Sequence, residues 1–386
     1  MKRRIGIIAL VGVLIAGGAI VVPHLLGSGP GPHRYLNGID VRDMVRDQEG
    51  TLWLATQKGL YRLPPAGRPS PVTGDEALRL PMSSIALEKS GRIWMGTDEG
   101  LVTRTPEGVE RIERVMVSCR PQYGGESRTE YAIGPVLTLE ASDKWVLVGT
   151  ATSVAALDLA TGVWTVEENV FVWTWFVGAV VGDLRPVGQC RDIVVDADGR
   201  IWVLLEDALT VFRPGLGMCL GTGYSVFEEG AGVVSVRLNR FLTQLPDSWR
   251  ADHVEHETPL GIGTDDTGQL VILTRDGHIL RPPTIPRGNP KSIIIDDFPE
   301  VAYARWIADL PQPPVSFAFR AGRLAAAAPC SEGSGSAVYV GGTGAETVTQ
   351  FPLEQARPHR IYADLTSASW WVATSDGLVH LPEEST

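Results

Sequence analysis

The sequence predicts an all-β protein: a seven-bladed β-propeller of four-stranded blades, preceded by one N-terminal transmembrane helix. The first observation is a strand–turn–strand pattern that recurs along the chain, as it does in propeller blades. The second is a composition of 44% hydrophobic residues with 43 Gly and 27 Pro, which indicates a large core cut by many turns. The third is a charge-free apolar stretch that follows Lys2, Arg3 and Arg4.

The repeating unit is clearest in Asp47–Leu63, where it predicts one β-hairpin. Residues 47–50 (DQEG) combine an Asp that can bond the backbone with a Gly that accepts a positive φ, as turns require. The run 51–56 (TLWLAT) is almost continuously apolar, which predicts a strand covered on both faces. Residues 57–59 predict a tight turn, and the alternating run 60–63 (LYRL) predicts the return strand.

Further copies of this unit follow at fairly regular spacing. The positions equivalent to Trp53 hold, in chain order, Trp94, Leu147, Trp202, Val271, a weaker sixth copy between Ser316 and Val340, and Trp371. The last copy ends too early to supply an outer strand, while residues 33–36 precede the first copy. We therefore expect the N-terminal segment to supply the outermost strand of the last blade, which removes free edges and gives a propeller domain over residues 33–386.

The recurring pattern D-x-x-G-x-[LI]-W-x-[AG]-T-x-x-G-L resembles the two-component regulator propeller repeat. The resemblance is closest around Trp53, Trp94 and Trp371 and extends over residues 40–381. It implies a β-propeller of the kind that forms extracytoplasmic sensor domains joined to histidine kinases. Because the repeats continue to the end of the chain, we expect a propeller without an attached kinase.

The N-terminus predicts a membrane anchor over residues 1–26. Residues 5–22 carry no charge, and this length favours an uncleaved transmembrane helix over a cleaved signal peptide, whose apolar core spans about 7–15 residues. The basic residues in front of it place the N-terminus in the cytoplasm and the propeller outside, in the periplasm or the extracellular space. Residues 27–34 (GSGPGPHR) then predict a flexible linker.

The longest insertions all fall on one predicted face. In a propeller, the turns between the second and third strands of a blade and the connections between blades lie on the same side, here called the interblade-loop face. The insertions are residues 115–134, 168–189, 229–260 and 296–313, together with the loop 329–336. Long loops in compact domains usually carry function. We expect this face to bind protein partners and to point away from the membrane, because the anchor enters on the opposite face.

The segment 252–257 (DHVEHE) is a candidate metal site. In a helix, His253 and His256 would lie on one face with acidic neighbours as further ligands. A His-x-x-His pair without a third partner nevertheless favours a solvated acidic helix. The segments Asp196–Gly199 and Asp265–Gly268 resemble fragments of calcium loops, but they occupy the first turn of the repeat and predict structural turns. We expect no metal and no cofactor.

Phe171, Trp173 and Trp175 alternate in the most apolar stretch outside the repeats. On one face of a strand, these rings would either cover a neighbouring blade or present an aromatic platform for a sugar or a protein. The packing alternative is favoured, because aromatic side chains are mostly buried.

The four cysteines of an exported chain permit disulfides. Cys119 and Cys190 fall in successive connections on the interblade-loop face, so we predict that they pair. Cys219 and Cys330 fall on different faces of the predicted propeller, and the sequence gives them no partner.

The sequence favours a binding function over catalysis. No catalytic motif is recognisable, and the seven histidines are scattered. The net charge of −11 excludes a nucleic-acid partner, which would need clustered Lys and Arg. We therefore expect a non-enzymatic protein-interaction or sensory module, such as an accessory subunit of an envelope complex. The alternative is a propeller enzyme, a lyase or hydrolase, with a site assembled from several blades and acting on a carbohydrate or other exported substrate.

Overall fold

A computed structural model describes most of the chain after the predicted anchor. The described residues are 32–119, 127–176, 179–186, 188–206, 209–213, 232–240, 255–256, 259–265, 267–274, 279–280, 293–296, 314–320, 322–330, 335–342 and 348–382. The predicted anchor, residues 1–26, lies outside them. Within the described residues, no helix is long and apolar enough to cross a membrane.

The described strands form seven sheets, numbered here in chain order, and the described residues contain no α-helix. The first strand of the chain, β1 (His33–Tyr35), belongs to the last sheet. Sheet 1 contains β2 (Val41–Arg46), β3 (Leu52–Thr56), β4 (Gly59–Leu63) and β5 (Ser70–Pro71). After a 3₁₀ helix at Glu76–Arg79, sheet 2 contains β6 (Met82–Leu87), β7 (Ile93–Thr97), β8 (Gly100–Thr105) and β9 (Gly108–Ile112).

Sheets 3 and 4 are wider than the others. Sheet 3 contains β10 (Arg114–Cys119), β11 (Ser127–Ala132), β12 (Val136–Ala141), β13 (Trp145–Thr150), β14 (Val154–Asp158) and β15 (Trp164–Glu167). Sheet 4 contains β16 (Asn169–Phe176), β17 (Ala179–Pro186), β18 (Cys190–Val195), β19 (Ile201–Leu205), β20 (Leu209–Arg213), β21 (Gly232–Arg240) and β22 (Glu255–His256). A later strand, β26 (Ile293–Asp296), also joins sheet 4 by pairing with β21.

The remaining sheets are narrower. Sheet 5 contains β23 (Pro259–Thr264), β24 (Leu270–Thr274) and β25 (Ile279–Leu280), and β26 is Ile293–Asp296. Sheet 6 contains β27 (Ser316–Arg320), β28 (Arg323–Pro329), β29 (Ser336–Gly342) and β30 (Thr349–Pro352). Sheet 7 contains β31 (Pro358–Asp364), β32 (Ser369–Thr374) and β33 (Gly377–Leu381), with β1 at its outer edge.

The sheets stand around a common axis, which confirms the predicted all-β propeller fold. Their inner strands, β2, β6, β12, β18, β23, β27 and β31, contact one another in this order, and β31 returns to contact β2. The hydrophobic clusters lie between neighbouring sheets; between sheets 1 and 2, for example, Trp53 and Leu60 pack with Ile85 and Met95. Strands β3, β7, β19 and β32 bury every side chain, which confirms that these strands are covered on both faces.

A hydrogen bond from tryptophan to a carboxylate recurs in four sheets. In each, the indole Nε1–H donates to an acidic residue at the turn that precedes the strand. The pairs are Trp53 to Asp47 at 2.8 Å, Trp94 to Glu88 at 2.5 Å, Trp202 to Asp196 at 2.8 Å and Trp371 to Asp364 at 3.4 Å. Asp196 also accepts the backbone amides of Asp198 and Arg200. These acidic residues therefore hold the turn and the buried indole, which explains Asp196–Gly199 as structural.

The glycine in the second turn of the repeat lies against the connection between sheets. Gly59, Gly100 and Gly377 all adopt positive φ, and a Cβ on Gly100 would stand 2.5 Å from the Ile112 carbonyl oxygen. The preceding threonine closes the same turn, as where the Thr97 hydroxyl donates to the Gly100 carbonyl at 2.9 Å. The repeated glycine is thus required both by its backbone conformation and by the close approach of the next segment.

The start and the end of the described chain share sheet 7. Strand β1 pairs antiparallel with β33, so that His33 lies opposite His380 and Tyr35 lies opposite Leu378. The Gly38 amide adds a hydrogen bond to Asp376 Oδ1 at 2.9 Å. This pairing covers the outer edge of sheet 7 with the first strand of the chain.

The insertions between sheets 2 and 3 and between sheets 3 and 4 are β-hairpins at outer sheet edges. Hairpin β10–β11 pairs through β10 with β15, the outer repeat strand of sheet 3. Hairpin β16–β17 pairs through β16 with β21 of sheet 4. Much of the expected loop structure at 115–134 and 168–189 is therefore replaced by strands, because pairing along an open edge satisfies backbone groups that a loop would leave to water.

The predicted disulfide between Cys119 and Cys190 does not form in this structure. Cys190 is a free, buried cysteine on the inner strand β18, next to Gly149 of β13. Cys119 ends β10, which is three strands from β13 in the order of sheet 3. Three strand spacings are about 14 Å, well beyond the Cα separation that a disulfide spans. Cys330 is also free, and Cys219 lies outside the described residues.

We predict that Gly100→Ala destabilises the protein by about 3 kcal/mol, since it adds a left-handed backbone conformation for alanine to a clash with the Ile112 carbonyl. Gly108→Ala is the matched control in the same sheet, because a Cβ there meets nothing within 4 Å. Urea unfolding of the two purified variants measures the difference. Equal stability of both variants would contradict the close packing assigned to the second turn.

Candidate functional site

The inner strands of all seven sheets line one central channel. Its cavity has a volume of about 760 Å³ and is lined by residues from β2, β6, β12, β18, β23, β27 and β31. This volume lies in the range of sites for small molecules, about 300–1,000 Å³. The channel is therefore a candidate binding site.

A β-bulge recurs in the inner strands and places equivalent residues of these strands at a similar depth in the channel. The register shifts after the first residue of β2, β6, β12, β18, β23 and β31. A bulge bends and twists a strand locally and can redirect a side chain. In three of these strands, the residue just after the bulge is charged: Asp43, Asp192 and Arg360.

Arg360 lies at the centre of a network of charges from four sheets. Its Nη1 donates to Asp192 Oδ1 at 3.1 Å, and its Nε lies 4.0 Å from Asp43 Oδ1. Asp43 also accepts the amides of Met44 and, across to the next sheet, Ile85. Asp192 accepts the amide of Ile193 at 3.0 Å. The two aspartates thus connect the inner strands as well as neutralise the guanidinium.

Glu140 is the third carboxyl group facing this network. Burial raises its pKa to about 8, an effect that Arg360 opposes and that Asp192 and Asp43 reinforce. Burial also raises the pKa of Asp43, against the opposing effect of Arg360. The pKa of Arg360 is raised above its ordinary value, chiefly by Asp192. At neutral pH, Glu140 therefore holds a proton that it would lose in water.

One mouth of the channel carries a second polar cluster. The bulged residues Arg42, Arg191 and His359 lie at the beginnings of inner strands, where the connections from the preceding sheets arrive. His359 Nε2 lies 2.9 Å from Asp40 Oδ1, and Arg42 Nε donates to the other oxygen of Asp40 at 3.2 Å. This mouth therefore lies on the interblade-loop face.

The part of the channel wall formed by sheets 5 and 6 is aromatic. Phe317 on β27 lies against β23, where a Cβ on Gly261 would stand 2.7 Å from its ring and one on Gly263 would stand 3.2 Å away. Two glycines thus leave room for one phenyl ring at the channel wall. The channel combines this apolar wall with the carboxyl groups of sheets 1, 3 and 4.

The residues singled out from the sequence lie away from this channel. Phe171, Trp173 and Trp175 belong to β16 at the outer edge of sheet 4, and their side chains lie outside the described structure, so the platform stays a prediction. His253 is outside the described residues, whereas His256 lies in β22, a short strand paired with β21 in place of the expected helix. Among the described residues, no group of three or more His, Cys, Asp or Glu could hold a metal ion.

Sequence reasoning missed the channel residues, although a signal for them exists. Arg42-Asp43, Arg191-Asp192 and His359-Arg360 are pairs of titratable residues at the same place in three copies of the repeat, directly before an apolar strand core. An alignment of the copies by their inner strands would have found them. The alignment by tryptophan directed attention to buried packing positions instead.

Comparison with known proteins supports the fold. No family model matches the sequence, and no curated protein matches it either. The extracellular domain of the one-component system BT4673 from B. thetaiotaomicron is similar, with a TM-score of 0.54, 16% identity and 93% of this chain covered. The chain spans only 40% of that protein's chain.

Two other propeller-type structures are also similar. Virginiamycin B lyase from Staphylococcus aureus gives a TM-score of 0.52 at 13% identity and covers 91% of this chain and 97% of its own. The protein YCF48, solved bound to a D1 peptide, gives a TM-score of 0.50 at 10% identity and covers 93% of this chain and 98% of its own. At identities this low, the structural similarity shows a shared fold and nothing more.

We predict that Glu140→Gln stabilises the protein at high pH. The folded state keeps the Glu140 proton up to a pKa of about 8 and the unfolded state loses it near 4.5, so this carboxyl group favours folding least above pH 8. The free energy of unfolding of the variant should exceed that of the wild type by an amount that grows between pH 4.5 and pH 8 and reaches about 2 kcal/mol. Water in the open channel keeps the difference this small.

Urea unfolding across this pH range measures the gain. Exposed Glu110, changed to Gln, is the matched control and should show no such trend. A constant difference between Glu140→Gln and the wild type at every pH would contradict the assigned protonation.

Proposed function

We propose that this protein is an extracytoplasmic, seven-bladed β-propeller that acts as a non-enzymatic protein-interaction or sensory module. In this proposal, residues 1–26 anchor it in the membrane, residues 27–34 form the linker, and residues 33–386 form the propeller. It would act as an accessory subunit of an envelope complex. Its repeats would belong to the two-component regulator propeller repeat family, and the similarity to an extracellular domain of a signalling system is compatible with this placement.

The observation that carries the proposal is the fixed charge network of the central channel. Asp43 is held by two backbone amides, and Asp192 is held by one amide and by Arg360. Such groups have little freedom to reorganise, so they present a preorganised polar surface at the wall of a cavity of about 760 Å³. A preorganised surface of this kind favours recognition of a bound group.

The protein partner is proposed to bind at the interblade-loop face, around the channel mouth. Arg191 is exposed there and makes a loose ion pair with Glu206 at 3.9 Å. Strand β1 begins beside the end of β33, on the opposite face, so an anchor before it would leave this mouth directed away from the membrane. An exposed cation at the rim of an interface acts mainly on partner choice and association rate.

The same channel also supports the alternative, a lyase or hydrolase. It brings three carboxyl groups and His359 to one cavity, and a carboxyl group with a pKa of about 8 is able to act as a general acid near neutral pH. One of the similar structures is an enzyme, virginiamycin B lyase. In this alternative, the channel would hold a carbohydrate or another exported substrate.

We predict that Arg191→Glu weakens binding of the protein partner. The tagged full chain, purified from its own host in mild detergent, should retain a specific protein whose yield falls about tenfold when the rim charge is reversed. Arg62→Glu is the matched control, because Arg62 is an exposed arginine on β4 of sheet 1, away from the mouth. Quantitative mass spectrometry of the eluates measures the yields.

The outcomes separate the two functions. Loss of one protein with Arg191→Glu and its retention with Arg62→Glu supports the interaction module. If no co-purified protein exceeds the tag-only background, or if both variants retain the same protein equally, the proposal of an interaction module is wrong. Turnover of a carbohydrate substrate that Glu140→Gln abolishes would establish the enzyme instead.

A further inference from the structure

The edge that closes sheet 7 contains a stack of three aromatic rings. His33 and His380 are directly opposite each other on β1 and β33, with their rings 6.4 Å apart and nearly parallel. The His380 ring also stacks on Trp371 of β32 at 4.2 Å. The titratable rings of β1 and β33 are therefore in line with the buried tryptophan of the same sheet.

His380 is poorly placed to carry a positive charge. Its Nε2 is buried and has no hydrogen-bond partner among the described residues. Burial, the facing His33 and the nearby Arg46 all lower its pKa below the ordinary value of 6.5. Stacking on Trp371 would favour an imidazolium, but these opposing effects outweigh it.

The charged groups around the stack come from three strands and from the turn after β30. Arg46 of β2 forms an ion pair with the buried Asp364 of β31, which also accepts the Trp371 indole. Arg34 of β1 pairs with Glu354 at 3.1 Å, but Glu354 is largely exposed, so this pair is screened by solvent. The buried carboxylate of Asp364, which the described part of the chain places near the stack, is thus already paired with Arg46.

Strand β1 has few other attachments. It pairs with β33 through three residues, and its apolar contact is Tyr35, which lies 5.8 Å from the Trp371 ring. A short edge strand of this kind opens at low free-energy cost compared with the strands inside the sheet.

We propose that this closure is a pH-sensitive latch: acidification charges the half-buried His380 ring, which faces His33 across the two strands, and the charged ring separates β1 from β33. When β1 leaves, His380 becomes exposed and regains its ordinary affinity for protons. The open state therefore binds more protons than the closed state, so closure is favoured above about pH 6.5 and weakens as the pH falls through it. The latch adds regulation to the proposed module and does not depend on its partner.

Hydrogen exchange of the full chain in detergent tests the latch. Amide protection in β1 and β33 should fall about fivefold between about pH 7.5 and pH 5.5, after correction for intrinsic exchange, because the closed pairing disfavours a charge on His380. Protection in β7 of sheet 2 should stay constant. The variant His380→Phe keeps a stacking ring but has no imidazole to take up a proton. In this variant, the loss of amide protection at low pH should disappear.

Two further variants make the test decisive. His33→Gln removes the repulsion at an exposed position, so the fall should shrink even if His380→Phe does not fold. Glu110→Gln, at an exposed position on β9 of sheet 2, is the control and should behave as the wild type. Equal protection of β1 at both pH values in the wild type, or an undiminished fall in His380→Phe or His33→Gln, would overturn the proposal.

Discussion

The hydrogen bond from a buried indole to the carboxylate of the preceding turn is the interaction on which four of the seven sheets depend. Packing sheets face to face requires large apolar side chains between them, and tryptophan fills this space only if its N–H finds an acceptor. Trp202 is completely buried and meets this condition through Asp196. The same carboxylate fixes the turn amides, so one side chain determines both the strand entry and the interface with the next sheet.

This dependence explains which parts of the fold can be predicted from the sequence. An acidic turn residue, a tryptophan and a turn glycine are local requirements, and they recur wherever Trp53, Trp94 and Trp371 occur. The insertions are different, because strand pairing at an outer edge depends on which neighbour is open. The sequence therefore placed 115–134 correctly between two repeats but did not indicate that β10 would pair with β15. The failure of the Cys119–Cys190 disulfide has the same origin.

The candidate site illustrates a second limit. Arg360, Asp192, Asp43 and Glu140 are far apart in the chain and adopt their roles only when four inner strands meet at the axis. No local sequence pattern predicts that these four residues come together. What the sequence does contain is the equivalence of the positions after the bulge, which becomes visible once the first strand of each sheet is known.

The short strand β1 also determines how the molecule would respond to tension. With the anchor proposed above, a pull from the membrane would reach the propeller at His33, which is next to the C-terminal end of β33. Only three residues pair β1 with β33, so this short pairing would carry the load. The ring would therefore yield at its closure before any other sheet is strained, and the linker would lengthen while the inner strands kept the channel intact.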